Sequence, residues 1–435
     1  MFMVDFSAHL GRRKRVEQEL GQGVLVLFAA APTLRNNDVT HEFRQDSDFY
    51  YLTGFDEPDA ALVMVGGASP RSILLVSPKD PARELWDGIR LGVEGARGLG
   101  VDEAYSILEL EDQLPAWLAD RSHVICRFGD DSLVDPRIVR ALAAARRQMR
   151  RGAGCPSALV DVATVVHEMR RTKEATEIEL LSRAISITAE AHLAAMVKTE
   201  PGVYEYEIEA LLRGAFRARG SERVAYEPIV GSGQNATILH YVKNQRRMQE
   251  GDLLLIDAGC EYGYYAADIT RTFPVSGRFS PAQREVYEIV LAAQAASIAV
   301  SGPGVTLDQI HQAATRVICE GLVRLGVLSG TPEQAEADGT YKPFFMHKTS
   351  HYLGMDVHDV GRYFDQGKPR PLEPGVVITV EPGLYFSSEA PEAAARYRGI
   401  GVRIEDDVLI EASGVRVLSD GVPKEPEEVE RACRG

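Results

Sequence analysis

The chain has 435 residues, of which 45% are hydrophobic and 26% charged, and its formal net charge is −15. That length exceeds one ordinary core and points to two domains. The acidic balance leaves no basic excess to neutralise phosphates, which argues against nucleic acid or an anionic membrane as a partner.

The five cysteines are scattered, with no C-x-x-C pair, a pattern that fits a reducing cytoplasm better than a disulfide framework. Near the start, GRRKR at 11–15 followed by GVLVLFAAAP at 23–32 mimics an export signal. Glu17, Gln18 and Glu19 interrupt the approach and the apolar run is short, so the segment reads as a helix followed by a buried strand. No stretch approaches the ~20 apolar residues of a bilayer span. VLVLFAA, ALVMVGG, SILLVSP and HVICRFG read as buried strands, and RVEQEL and PRIVRALAAARRQM as helices. This is an α/β pattern with a mixed or parallel sheet. The basic run ARRQMRR at 145–151 reads as a solvated helix face.

Gly and Pro in RGAGCPSALVDV at 151–162 break the pattern near a domain boundary, giving a first domain of 1–165 and a second of 166–435. The second is expected to open with a long helix capped at Thr172, which runs through ELLSRAISITAEAHLAAMVK and stops at Pro201-Gly202. A second helix follows around EYEIEALLRGAFRARG, then strands in YEPIVGSG, LLLIDAG and DITRTFPV. Two helices near PAQREVYEIVLAAQAASIAV and LDQIHQAATRVICEGLVRLG precede strands in VVITVEPGLYF and GVRIEDDVLI, and a short helix closes the chain after Val422. The order helices, strands, helices, strands predicts an internally duplicated α+β domain.

Three of the ten histidines fall in HKTSHYLGMDVHD, residues 347–359. A helix would place His347 and His351 on one face, the spacing of the zinc motif H-E-x-x-H. Lys348 stands where that motif has glutamate, and Gly354 with the alternation in MDVHDV argues against one unbroken helix. Metal chemistry here would need carboxylates from elsewhere. Asp257 closes LLLID, Asp268 opens DITRTF, Glu381 sits in VVITVEPG and Glu405 in GVRIED, all where apolar strand residues are expected. Taken singly, each reads as an ion-paired acid or a turn residue, because an unpaired buried carboxylate is expensive. Taken together, four acids and an imidazole make a ligand set for two divalent ions, with some carboxylates bridging. Oxygen-rich ligation favours manganese, while ligand type leaves zinc and cobalt open.

IDAGCEYGYYAADITRTFPV, FFMHKTSHYLGMDVHDVG, ITVEPGLYF and YRGIGVRIEDD resemble the aminopeptidase P branch of the prolidase and methionine aminopeptidase family. ILHYVKN at 238–244 resembles that family's substrate-side segment. NNDVTHEFRQDSDFYYLTGFDEPDAALV and ELWDGIRLG resemble its N-terminal domain, so the likeness covers nearly the whole chain. It implies an α/β N-terminal domain with a creatinase- or ribonuclease H-like mixed sheet, followed by an α+β pita-bread catalytic domain holding a dinuclear metal centre. The family's ligand positions fall on Asp257, Asp268, His351, Glu381 and Glu405, with Asp268 and Glu405 bridging.

Carried over in the same way, Glu381 is the base, His358 the histidine at the scissile carbonyl, and His240 a contact beyond the cut bond. His347, Tyr385 and Arg403 line or orient the site, and Trp86 of ELWDG caps it. The other histidines, His9, His41, His123, His167, His192 and His311, read as surface or satisfied structural residues. Lys348, Thr349, Tyr264 and Ala267 depart from the family pattern and affect the pocket rim rather than the ligands. The implied activity is release of the first residue from peptides with proline second, by a cytoplasmic homodimer or homotetramer. The same ligands would serve a prolidase restricted to dipeptides. A non-catalytic peptide-binding module would be expected to have lost ligands, and all five are here.

Overall fold

The computed structural model describes residues 6–129 and 134–434. The chain divides into two compact units, one ending at Met169 and the other beginning at Arg170.

The first unit is built on a six-stranded mixed sheet. Its central strand, Val24–Phe28, pairs antiparallel with Ala61–Val65 and parallel with His123–Cys126. Arg71–Val76 and Glu103–Ser106 extend one side and Ala158–Asp161 the other. The central strands are buried on both faces, which is why they read as continuous Val, Leu and Ile runs rather than alternating ones. The export-like basic stretch lies in the helix Ser7–Leu20. Arg13 is fully buried there, donating to the carbonyls of Leu52, Leu99 and Gly100. The run at 145–151 begins in the helix Pro136–Gln148, which buries Ile138, Ala141 and Ala145 and turns Arg146 and Arg147 outward.

The second unit plays one theme twice. The helices Ala175–Lys198 and Glu205–Ala218 precede the antiparallel sheet Ile229–Ser232, Leu253–Asp257, Thr270–Pro274. The helices Pro281–Val300 and Leu307–Arg324 precede the sheet Val377–Val380, Asp406–Glu411, Gly414–Val417. The first helix starts after Glu174, whose N–H donates to the Glu177 carboxylate at 2.9 Å, so Thr172 is not its cap. At 24 residues and a mean hydropathy of 1.2, it is long and apolar enough to cross a bilayer by length and composition. Half of its apolar window is buried in this unit, where Ala184, Ile187, Ala191 and Ala195 pack in the core. Glu179, Arg183 and Glu190 interrupt its apolar runs, so the sequence did not display it as a continuous stretch.

VVITVEPGLYF and GVRIEDDVLI, each read as one strand, are each two. The first breaks at Glu381-Pro382, where proline has no N–H to offer a ladder. The second breaks at Ile404-Glu405, so Ile400–Arg403 pairs with Gly383–Phe386 while Asp406–Glu411 pairs with Val377–Val380. Both predicted acids fall in these breaks, at strand ends rather than strand centres. Two close approaches lock the neighbouring turns. A Cβ on Gly259 would lie 1.7 Å from the Ala267 carbonyl oxygen, and one on Gly354 would lie 2.1 Å from Asp359 Oδ2. Only glycine fits at either position.

Candidate metal centre

Asp257 is the last residue of its strand, directly opposite Thr270 on the returning strand, and Asp268 lies two residues before Thr270. The histidine segment is not helical. It runs extended beside Val377–Val380, with Leu353 N–H donating to Val377 O (3.0 Å), Thr379 N–H to His351 O (3.0 Å) and Glu381 N–H to Thr349 O (2.8 Å). An extended chain also puts residues four apart on one side, so His347 and His351 share a side without a helix. This ladder sets His351 Nε2 3.4 Å from Glu381 Oε1 and 3.4 Å from Asp268 Oδ2. Glu405 donates its N–H to Thr270 O (3.1 Å) and accepts from Thr270 Oγ1 at Oε2 (2.7 Å). Asp268, His351 and Glu405 thereby offer ligand atoms all within 4.8 Å of one another.

The donor chemistry fits divalent cations. His351 Nδ1 faces the Tyr352 carbonyl at 3.0 Å, so that nitrogen carries a hydrogen and Nε2 is the atom left to face the acids and any ion they hold. Burial alone would lower this imidazole, but Asp268 and Glu381 outweigh it and hold it up at about 9. Burial and mutual repulsion raise Asp268, push Glu381 up to about 7 and lift Glu405 well above the carboxylate range. Carboxylates so placed ionise together only beside added positive charge. Two divalent ions would match Asp257, Asp268, Glu381 and Glu405 charge for charge.

Around these five residues runs a chain of donors. Arg403 Nη2 donates to Asp257 Oδ2 (2.5 Å), and its Nη1 donates to the Tyr385 hydroxyl (2.9 Å). Tyr385 in turn donates to His347 Nε2 (2.9 Å), whose Nδ1–H donates to Lys348 O (2.7 Å). Burial and the nearby Arg403 lower His347 to about 4, so it is neutral at pH 7 and can accept that bond. His358 is exposed and packs edge-on against His351, ring centroids 4.3 Å apart. Burial, His351 and His240 all lower its imidazole. His240 is likewise exposed. Trp86 belongs to the first unit, where it is 89% exposed on the helix Pro81–Asp87.

Three polar groups in this shell escaped the sequence reading. Tyr226 has its hydroxyl within hydrogen-bonding reach of both Asp257 Oδ1 and Asp268 Oδ1, the latter at 2.5 Å. Burial and the two carboxylates push its phenol well above the ordinary range, so it stays a donor. The fully buried Asp407 accepts from the Asp268 N–H at 3.1 Å. Arg271, also fully buried, donates to the carbonyls of Thr270 (2.9 Å) and Glu405 (2.5 Å). Tyr226 sits in YEPIVGSG and looked like an ordinary strand aromatic; only its partners mark it. Tyr226→Phe removes one donor shared by Asp257 and Asp268, and affinity for added manganese is expected to fall about 10- to 100-fold, read by titration calorimetry of the folded variant. Among the remaining histidines, His192 Nε2 donates to the Ala258 carbonyl (3.1 Å), and half-buried His311 pairs through Nδ1 with Thr349 Oγ1 (2.8 Å).

Comparison with known proteins bears on this arrangement. Metallopeptidase family M24 matches residues 179–412, and the N-terminal domain of aminopeptidase P matches residues 9–126. The chain is 44% identical over 422 residues to an Xaa-Pro aminopeptidase of Escherichia coli, covering 96% of this chain and 95% of that one. It superposes on aminopeptidase PepP of Pseudomonas aeruginosa with a TM-score of 0.97 at 44% identity, covering 100% of this chain and 99% of that one. Against a zinc-substituted E. coli aminopeptidase P in complex with product, the TM-score is 0.95 at 43% identity, covering 99% and 98%.

Proposed function

This chain belongs to metallopeptidase family M24, as an Xaa-Pro aminopeptidase with an aminopeptidase P N-terminal domain and a pita-bread catalytic domain, and from that premise we propose how its residues divide the work. Asp257, Asp268, His351, Glu381 and Glu405 would hold two divalent ions, manganese in preference to zinc or cobalt. The observation that carries this is the convergence of Asp268, His351 and Glu405 within 4.8 Å, with Glu381 beside His351. Bound there, the ions supply Lewis-acid polarisation and lower the pKa of a water, to about 7 in sites of this kind.

A bond to proline has no N–H and a fixed φ, so it fits poorly into a site that binds substrate as an added strand. Here the free amino terminus is held at Asp257, which limits cleavage to the first residue. Arg403 keeps Asp257 in place through its 2.5 Å bond. Glu381 takes the proton of the attacking water and delivers it to the proline nitrogen as the C–N bond breaks. His358 polarises the scissile carbonyl, and His240 contacts the peptide beyond it. His347 and Tyr385 form the wall that orients Arg403. We place the enzyme in the cytoplasm as a homodimer or homotetramer.

The test is an alanine-release assay on Ala-Pro-Ala and Ala-Pro with the manganese-loaded protein. Release from the tripeptide supports the reading, and release from the dipeptide alone would make the site a prolidase. Chelation is expected to abolish activity and to lower the melting temperature, with both restored by manganese. The stabilisation should scale with free metal, reaching about 2.7 kcal/mol at a hundredfold excess over Kd. A melting temperature indifferent to chelator and metal would remove the ions from this site.

A further inference from the structure

The segment that carries His240 has little regular structure. After the short turn Gly233–Thr237 it continues as irregular chain to residue 246. Such a segment would present a substrate contact loosely unless something held it. One helix face does so. Glu205, the first residue of Glu205–Ala218, is fully buried. Its Oε1 accepts from Ser232 N–H and Oγ (2.7 Å each) and from Asn235 Nδ2 (3.1 Å). Its Oε2 accepts from the Tyr241 hydroxyl and the Arg246 N–H (2.8 Å each). Four residues on, Glu209 Oε2 accepts from Asn244 Nδ2 at 2.8 Å. Asn244, in the left-handed region at φ 49°, also bonds Val230 N–H and Pro228 O. Residues four apart share a helix face, so these two carboxylates pin the start, middle and end of the segment. A buried carboxylate with this many donors is a satisfied hub, and Tyr241, one of those donors, is the residue next to His240.

We propose that Glu205 is the positioning residue for His240: through Ser232, Asn235, Tyr241 and Arg246 it fixes the loop that brings this imidazole to the peptide beyond the scissile bond. The inference rests on the reading of His240 as a substrate contact. Glu205 touches neither the reacting atoms nor the metal ligands, so its loss acts on substrate binding and leaves metal content intact.

The test uses manganese-loaded full-length enzyme and an Xaa-Pro tripeptide, with KM, kcat and metal stoichiometry measured for Tyr241→Phe, Glu205→Gln, His240→Ala and the double variant His240→Ala/Tyr241→Phe. Tyr241→Phe is expected to raise KM on the order of threefold to tenfold, with kcat within about twofold and two metals retained. Glu205→Gln, which turns an amide N–H toward donors, should raise KM further. If that variant fails to fold, Tyr241→Phe decides. In the His240→Ala background Tyr241→Phe should have no further effect, a coupling that a merely structural role would not produce. Unchanged KM in Tyr241→Phe, or equal effects with and without His240, overturns the positioning role while the reading of His240 stands. Unchanged kinetics in His240→Ala overturns that reading and this inference with it.

Discussion

Glu381→Ala is expected to abolish turnover in a protein that still folds. The backbone N–H of Glu381 keeps its 2.8 Å bond to Thr349 O in the variant, so the ladder that sets His351 survives. What disappears is the carboxylate proposed to take the proton of the attacking water, and losing a general base costs on the order of 10²- to 10⁴-fold. The same carboxylate is a proposed ligand to one ion, so the measured loss should lie at the upper end. The check is kcat beside metal content: activity within tenfold of wild type, with two ions bound, would remove Glu381 from the proton path.

Asp359→Ala is expected to cost the most stability of any single change near the site. Asp359 is buried and meets two buried cations, Arg170 at 2.6 Å and Lys173 at 2.8 Å. Removing it leaves Lys173 without its carboxylate and Arg170 with its other ion pair, to Asp356 at 2.6 Å, and the loss of a buried partner runs to about 3–5 kcal/mol. For a unit of this size that corresponds to roughly a 10 °C fall in melting temperature, read by calorimetry. The effect should depend on pH. Burial disfavours the ionised acid, but Lys173 and Arg170 outweigh it and hold its pKa below the ordinary value. The carboxylate therefore stabilises the fold above its unfolded pKa of about 3.9, and that contribution is lost as pH falls through the lower folded value. The gap between wild type and Asp359→Ala should be widest near neutrality and close in acid. A gap independent of pH would assign the loss to packing alone. Because His358 is the preceding residue, kcat should fall as well.

Much of this site was legible because burying charge is costly. Acids at the ends of LLLID and VVITV break an apolar pattern, and only ligation or pairing explains several at once. Period and turn chemistry gave the long helices, and so the duplicated arrangement. Other features depend on partners distant in sequence. Asp407 and Arg271 are charged residues in strands that also carry charged neighbours, and nothing local separates a buried hub from an exposed edge. Glu205 looked like one of three glutamates on an amphipathic helix; its burial follows from where residues 232–246 fold back. The two strands read as unbroken were divided by Pro382 and by the change of partner at Glu405, and pairing of that kind is written in tertiary contacts rather than in periodicity.

The bond between Thr270 and Glu405 joins residues 135 apart in the chain. During synthesis at about 5–20 residues per second, the second partner is made on the order of ten seconds after the first. Throughout that interval the proposed ligand set lacks Glu405, and a chain made only as far as Phe345 holds just Asp257 and Asp268 of the five. The proposed ligand set is complete only when Glu405 has been made, so selection among ions by all five residues belongs to a chain that is almost finished.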